Sequence, residues 1–158
     1  MDAKIVAARP LGNRRPLPTA FGRLTVLSCD HDNIRAILQR LRAWSESQLQ
    51  ADLAEPGPDP CEAVAQLRLA LVGHFSTEES EAYFGAIAAG SPALIPRIAE
   101  LRAEHTALLE QLRSLAMQLM LEQRVAFAHG VLAFAERLRV HEAIENELIG
   151  EFLHGDTD

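Results

Sequence analysis

A chain of 158 residues, 48% of them hydrophobic, has the length of one domain and enough apolar side chains to bury a core. Its formal charge of −7 speaks against nucleic acid and anionic membrane surfaces, both of which require a basic face. Aromatics make up only 5% beside abundant Leu and Ala, a mix that suits helices better than sheets.

Residues 1–26 differ from the rest. They carry Pro10, Gly12, Pro16, Pro18 and Gly22 among five basic residues (Lys4, Arg9, Arg14, Arg15, Arg23) and a single acid, Asp2. This composition predicts an extended, basic N-terminal arm, one able to lie across the acidic remainder or to meet a protein partner. The opening MDAKIVAARP lacks the apolar stretch of a secretory signal, and no run of about 18 apolar residues follows to span a membrane. A cytoplasmic protein is the expectation.

Four segments follow in which apolar residues recur at alternating steps of three and four, the pattern of helices facing a bundle core. The first carries Leu27, His31, Ile34, Leu38 and Leu41, and the second Val64, Leu67, Leu71, His74 and Glu78. The third carries Ile98, Leu101, His105, Leu108, Leu112, Leu115 and Leu119. The fourth carries Phe127, Val131, Phe134, Leu138, His141, Glu145, Leu148 and Phe152. AEPGPDP (54–60) separates the first two segments and GSP (90–92) the next two. The last junction, near Leu119 to Arg124, has no breaker and is placed there because one helix could not otherwise fold back on itself. An all-α, antiparallel up-down-up-down four-helix bundle is the economical architecture, spanning 27–153 between the arm and a short tail at 154–158. Cys29 and Cys61 fall at opposite ends of an antiparallel pair, which disfavours a disulfide, and both are expected to be buried.

Every stripe is interrupted by a histidine where Leu or Ile should continue, and the second and fourth by a glutamate four residues later. At about 100° per residue a four-residue step leaves two side chains about 40° apart and one turn along the helix, so His74 with Glu78, and His141 with Glu145, converge. Unpaired carboxylates in a core cost several kcal/mol or more, so something must compensate them. With a rise of about 1.5 Å per residue, His74, His105 and His141 fall at one height along the bundle, and His31 joins them if the first helix frays near Gln48 or its loop doubles back. Four imidazoles and two shared carboxylates suit a pair of metal ions, with iron, manganese or zinc all acceptable by ligand type.

The fragments CDHDNI (29–34), HFSTEES (74–80), AEHTALL (103–109) and HEAIENEL (141–148) together resemble the four helix signatures of hemerythrin-like (HHE cation-binding) domains. The resemblance implies a non-haem di-iron centre held by His31, His74, Glu78, His105, His141 and Glu145. It places His31 and His74 on one iron and His105 and His141 on the other, with Glu78 and Glu145 bridging. Oxygen-carrying relatives have a further histidine where this chain has Leu109, which is expected to line a ligand pocket, and a helix acid where it has Asn146. The HxxxE spacing of Glu145 is similar to that of bacterial and regulatory members. The resemblance thus implies a small diatomic or peroxide ligand, with binding or sensing of O2 or NO first. Redox turnover of peroxide or O2 follows, and a metal-stabilised interaction domain, alone or as a homo-oligomer, stands third. Tyr83 and Glu104 are candidates to orient the ligating histidines. Glu79 and Glu147 are expected to be surface acids, and His129 and His154 to be solvated.

Overall fold

The structure, a computed structural model, describes residues 20–50 and 60–154. Most of the expected arm (1–19), the break at 51–59, the tail at 155–158 and the side chains of Leu27 and Cys29 lie outside them. Every regular element is helical: α1 (Ala20–Leu49), α2 (Pro60–Glu78), a short α3 (Phe84–Gly90), a 3-10 turn (Pro92–Leu94), α4 (Ile95–Met120) and α5 (Arg124–His154). No helix among the described residues is long and apolar enough to cross a membrane.

Two expectations are corrected. The first helix begins at Ala20, inside the segment assigned to an extended arm, and it runs through Arg23 without a break. Gly22 is tolerated there because one glycine costs a helix only about 1 kcal/mol relative to alanine. The link between the second and third long helices is also an element in its own right. After Glu78 the Ser80 hydroxyl donates to the Thr77 carbonyl at 2.7 Å and competes with the helical pattern. The chain then turns and re-enters helix as α3. Phe84 and Ile87 make that turn worthwhile: with Leu94, Ile98, Leu101 and Leu148 they form an apolar cluster of their own.

Each long helix packs against two others in the ring order α1, α2, α4, α5, so neighbours in sequence are neighbours in space, consistent with a four-helix bundle. Prolines open the elements where the missing N–H is harmless: Pro60 at the start of α2, Pro92 in the 3-10 turn and Pro96 in the first turn of α4. The α4–α5 joint has no glycine or proline. Glu122 adopts φ 57°, its N–H bonds the Leu119 carbonyl, and the Gln123 N–H bonds the Gln118 carbonyl. This is a Schellman ending in which glutamate takes the left-handed position usually given to glycine.

The larger apolar cluster fills the bundle between these joints, with Ile34, Leu41, Leu67, Leu71, Leu112 and Phe134 at its centre. The stripes behave as their spacing predicts, with Leu119 and Phe152 only half-buried. Cys61 departs from expectation: it is exposed on the first turn of α2.

Candidate metal centre

Along the α4 and α5 stripes the apolar positions stop, one or two polar positions follow, and the apolar positions resume. On α4 the order is Leu101, His105, Leu108, and on α5 it is Leu138, His141, Glu145, Leu148, every one of them buried. The larger cluster floors this polar layer and the cluster around Phe84 roofs it. His74, Glu78, His105, His141 and Glu145 are no more than 3% exposed, while His31 keeps 16% of its side chain at the surface. α1 ends at Leu49, close to Gln48, and His31 lies well inside it, facing the layer.

The six side chains meet. The Nε2 atoms of His31 and His74 lie 2.9 Å apart, His74 Nε2 is 2.6 Å from Glu78 Oε1, and His105 Nε2 is 3.1 Å from Glu78 Oε2. His31 Nε2 is 4.0 Å from Glu145 Oε2, and the rings of His105 and His141 meet edge to face at 4.8 Å. Ligand atoms within 4.8 Å of one another form two groups: His31, His74, Glu78 and Glu145 in the first, and Glu78, His105 and His141 in the second. Glu78 belongs to both, one oxygen toward each; Glu145 belongs to the first alone.

Despite these short separations, six buried atoms of the layer have no hydrogen-bond partner: Nδ1 of His74, both oxygens of Glu78, Nε2 of His105 and both nitrogens of His141. The nitrogens near Glu78 are close to its oxygens without making a hydrogen bond to them. Buried polar atoms are almost always paired, and leaving one unpaired costs about 1–3 kcal/mol. Lone pairs converging on shared points without satisfying each other are the arrangement a cation completes, and imidazole with carboxylate fits a divalent transition metal.

The proton equilibria tell the same story. Burial alone would raise the Glu78 carboxyl, but His105 and His74 at its two oxygens outweigh burial and hold it down at about 2. Burial and then the Glu78 charge push Glu145 up to about 8, against the opposing hydrogen bond from Tyr83. Burial, then His105, lowers His141 to about 4, and burial with His74 lowers His31. His74 is pushed down by burial, yet the Glu78 carboxylate 2.6 Å from its Nε2 and the charges of Glu145 and Asp30 raise it overall. Without a cation the layer therefore keeps one carboxyl protonated to avoid two facing charges.

The surrounding residues correct two expectations and add to a third. Glu79 is an exposed acid outside both ligand groups, as expected, but its Oε1 also lies 2.7 Å from His105 Nδ1, and its carbonyl accepts from Arg102 Nη2 at 3.3 Å. Tyr83 meets a carboxylate rather than a histidine, donating from its hydroxyl to Glu145 Oε1 at 2.7 Å, and burial followed by that charge raises the phenol well above its usual range. Glu104 is engaged by Arg137 rather than by a histidine, accepting from its Nε and Nη2 at 2.6 and 3.0 Å. Phe75 stacks on the His105 ring at 4.0 Å and 6°, with Phe84 on its other side at 6.0 Å. Leu109 is half-buried and lines an open groove between α2 and α4 with Val72, Ser76, Glu79 and His105, while Asn146 is exposed. His129 and His154 are exposed, and Glu147 is an exposed partner of Arg97.

The family model described as Hemerythrin HHE cation binding domain matches residues 23–153, which takes in the whole polar layer. No curated protein and no solved structure matches the chain.

Proposed function

From the premise that this chain belongs to the hemerythrin HHE cation binding domain family, we propose that it holds two non-haem iron ions and binds or senses a small redox ligand such as O2 or NO. His31, His74 and Glu145 would hold the first ion and His105 and His141 the second, with Glu78 placed to serve both. Manganese or zinc suits the same donors. The observation that carries this reading is Glu78, fully buried, with one oxygen in each of two ligand groups and neither oxygen satisfied by the protein.

Bound iron supplies electrons and an exchangeable position for a diatomic ligand. The chain's own residues do the rest. Tyr83 holds Glu145 Oε1, which leaves Oε2 directed toward His31. Phe75 and Phe84 keep water from the faces of His105. A donor set with twice as many imidazoles as carboxylates leaves the metal pair less electron-rich than a carboxylate-rich set, which favours reversible binding over O–O cleavage. Anaerobic loading with ferrous iron followed by optical spectra under O2, NO and peroxide tests the reading. It predicts a spectral change with O2 or NO that reverses when the gas is removed, and an iron-loaded protein indifferent to all three would overturn it.

The groove beside Leu109 supports a second reading, turnover of peroxide or O2, because its volume of about 490 Å³ reaches the side of His105. Leu109→His puts an imidazole one turn from His105. It should alter the iron spectrum and slow peroxide consumption; an unaltered spectrum in a destabilised protein would remove this reading.

A further inference from the structure

The four site histidines are not equally supported. Both nitrogens of His141 and Nδ1 of His74 lack a hydrogen-bond partner, the nearest acid to the latter being Asp30 at 4.0 Å. His105 instead has carboxylates at both nitrogens, supplied by consecutive residues: Glu78 at 3.1 Å from Nε2 and Glu79 at 2.7 Å from Nδ1. Successive side chains at the end of a helix stand about 100° apart, and here that separation sets the two acids at opposite edges of one ring at the last turn of α2. The Glu79 N–H still bonds the Phe75 carbonyl at 2.9 Å and Arg102 holds its carbonyl, so its backbone is fixed although its side chain is 40% exposed.

We propose that Glu79 is the positioning residue for the second cation site: its carboxylate accepts the Nδ1 hydrogen of His105 and so leaves the Nε2 lone pair free for the point that it shares with Glu78 and His141. Stacking on Phe75 fixes the plane of the ring, but a stacked ring carries either tautomer, so the hydrogen's place depends on Glu79. The second ligand group has one carboxylate where the first has two. Glu79 supplies negative charge to it through the imidazole, raising the basicity of the donor nitrogen. The inference rests on the two-ion reading for its function, but the tautomer it assigns belongs to the protein with or without metal.

Two measurements on Glu79→Ala and Glu79→Gln test it. In metal-free protein, nitrogen-15 imidazole spectra should place the His105 hydrogen on Nδ1 in the parent and in Glu79→Gln, whose amide oxygen still accepts, and distribute it over both nitrogens in Glu79→Ala. In iron-loaded protein, one of the two ions should leave to a chelator about 10–100-fold faster in Glu79→Ala, with a smaller change in Glu79→Gln and the other ion unaffected. A merely structural role would lower the metal-free melting temperature without moving the tautomer or the release of one ion alone. A Glu79→Ala protein that keeps a single Nδ1–H tautomer and the parent's release rates overturns the proposal. A parent that binds no iron refutes the proposed function, while the tautomer result still decides the role of Glu79.

Discussion

The large apolar cluster and the polar layer above it are built on the same four stripes and are equally inaccessible, yet they obey different rules. Leu67, Leu71 and Leu112 are completely buried and are satisfied by contact alone. Glu78, equally buried, has no hydrogen-bond partner at either oxygen. The cluster is complete as the chain folds; the layer is complete only with something added. Stability and binding should therefore separate when each region is changed alone.

The largest effect belongs to the cluster. Phe134→Ala should cost about 3–5 kcal/mol through lost transfer energy and a cavity, measured by denaturant unfolding, and leave the number of bound metals unchanged. A variant that kept its stability but lost metal would erase the distinction between the regions. The layer should respond in the opposite sense. Glu78→Leu continues the apolar stripe, relieves Glu145 of a like charge, and removes the carboxylate that raises His74. The metal-free variant should gain on the order of 1 kcal/mol or more and bind neither ion. A loss of metal-free stability would mean that Glu78 serves as a structural ion-pair partner instead.

pH sharpens the contrast. Glu145, raised from 4.5 to about 8, contributes stability that is complete below about pH 4.5 and is lost as pH climbs toward 8. His74, raised above 6.5, loses its contribution on the same side. His141, lowered to about 4, and His31, also lowered, work the other way, adding stability as pH rises to 6.5 and nothing above it. The windows overlap and partly cancel below 6.5, so the metal-free melting temperature should fall between pH 6.5 and 8. Metal-loaded protein should do the reverse there, because ligation requires deprotonated groups. Parallel curves for the two forms would contradict the assignment of Glu145 to the cation site.

The smallest effect is expected from Tyr83→Phe, which removes the hydrogen bond to Glu145 Oε1 and should cost about 0.5–1.5 kcal/mol in metal-free protein. Since that bond lowers the Glu145 carboxyl, its titration, followed by infrared spectroscopy, should move further up.

Much of this was legible in the sequence because it follows from spacing. The steps of three and four that place Leu108 and Leu112 in the core place His105 there too, and the four-residue step joins His74 to Glu78 whatever surrounds them. What was not legible depends on contacts between helices and on where helices end. Counted as helix, Glu79 lies about 140° from His74 and belongs at the surface; it is exposed there, and its reach to His105 on the neighbouring helix is a contact between helices that spacing along α2 does not encode. Phe84 and Ile87 would lie about 240° and 180° round from Glu78 on a continued helix, off its stripe, so α3 was marked only by a change of phase within a segment that has no breaker before GSP. The α4–α5 joint could be located only by the need to turn, since Glu122 occupies the left-handed position without a glycine to mark it. Tyr83 comes near Glu145 across 62 residues of chain, a proximity no local pattern encodes.

The central claim is that one buried carboxylate joins two cation positions, and counting metal tests it most directly. Protein produced with iron supplementation and purified without chelator should contain two iron ions per chain by elemental analysis. One zinc ion per chain, or no metal at all after supplementation, would contradict the account.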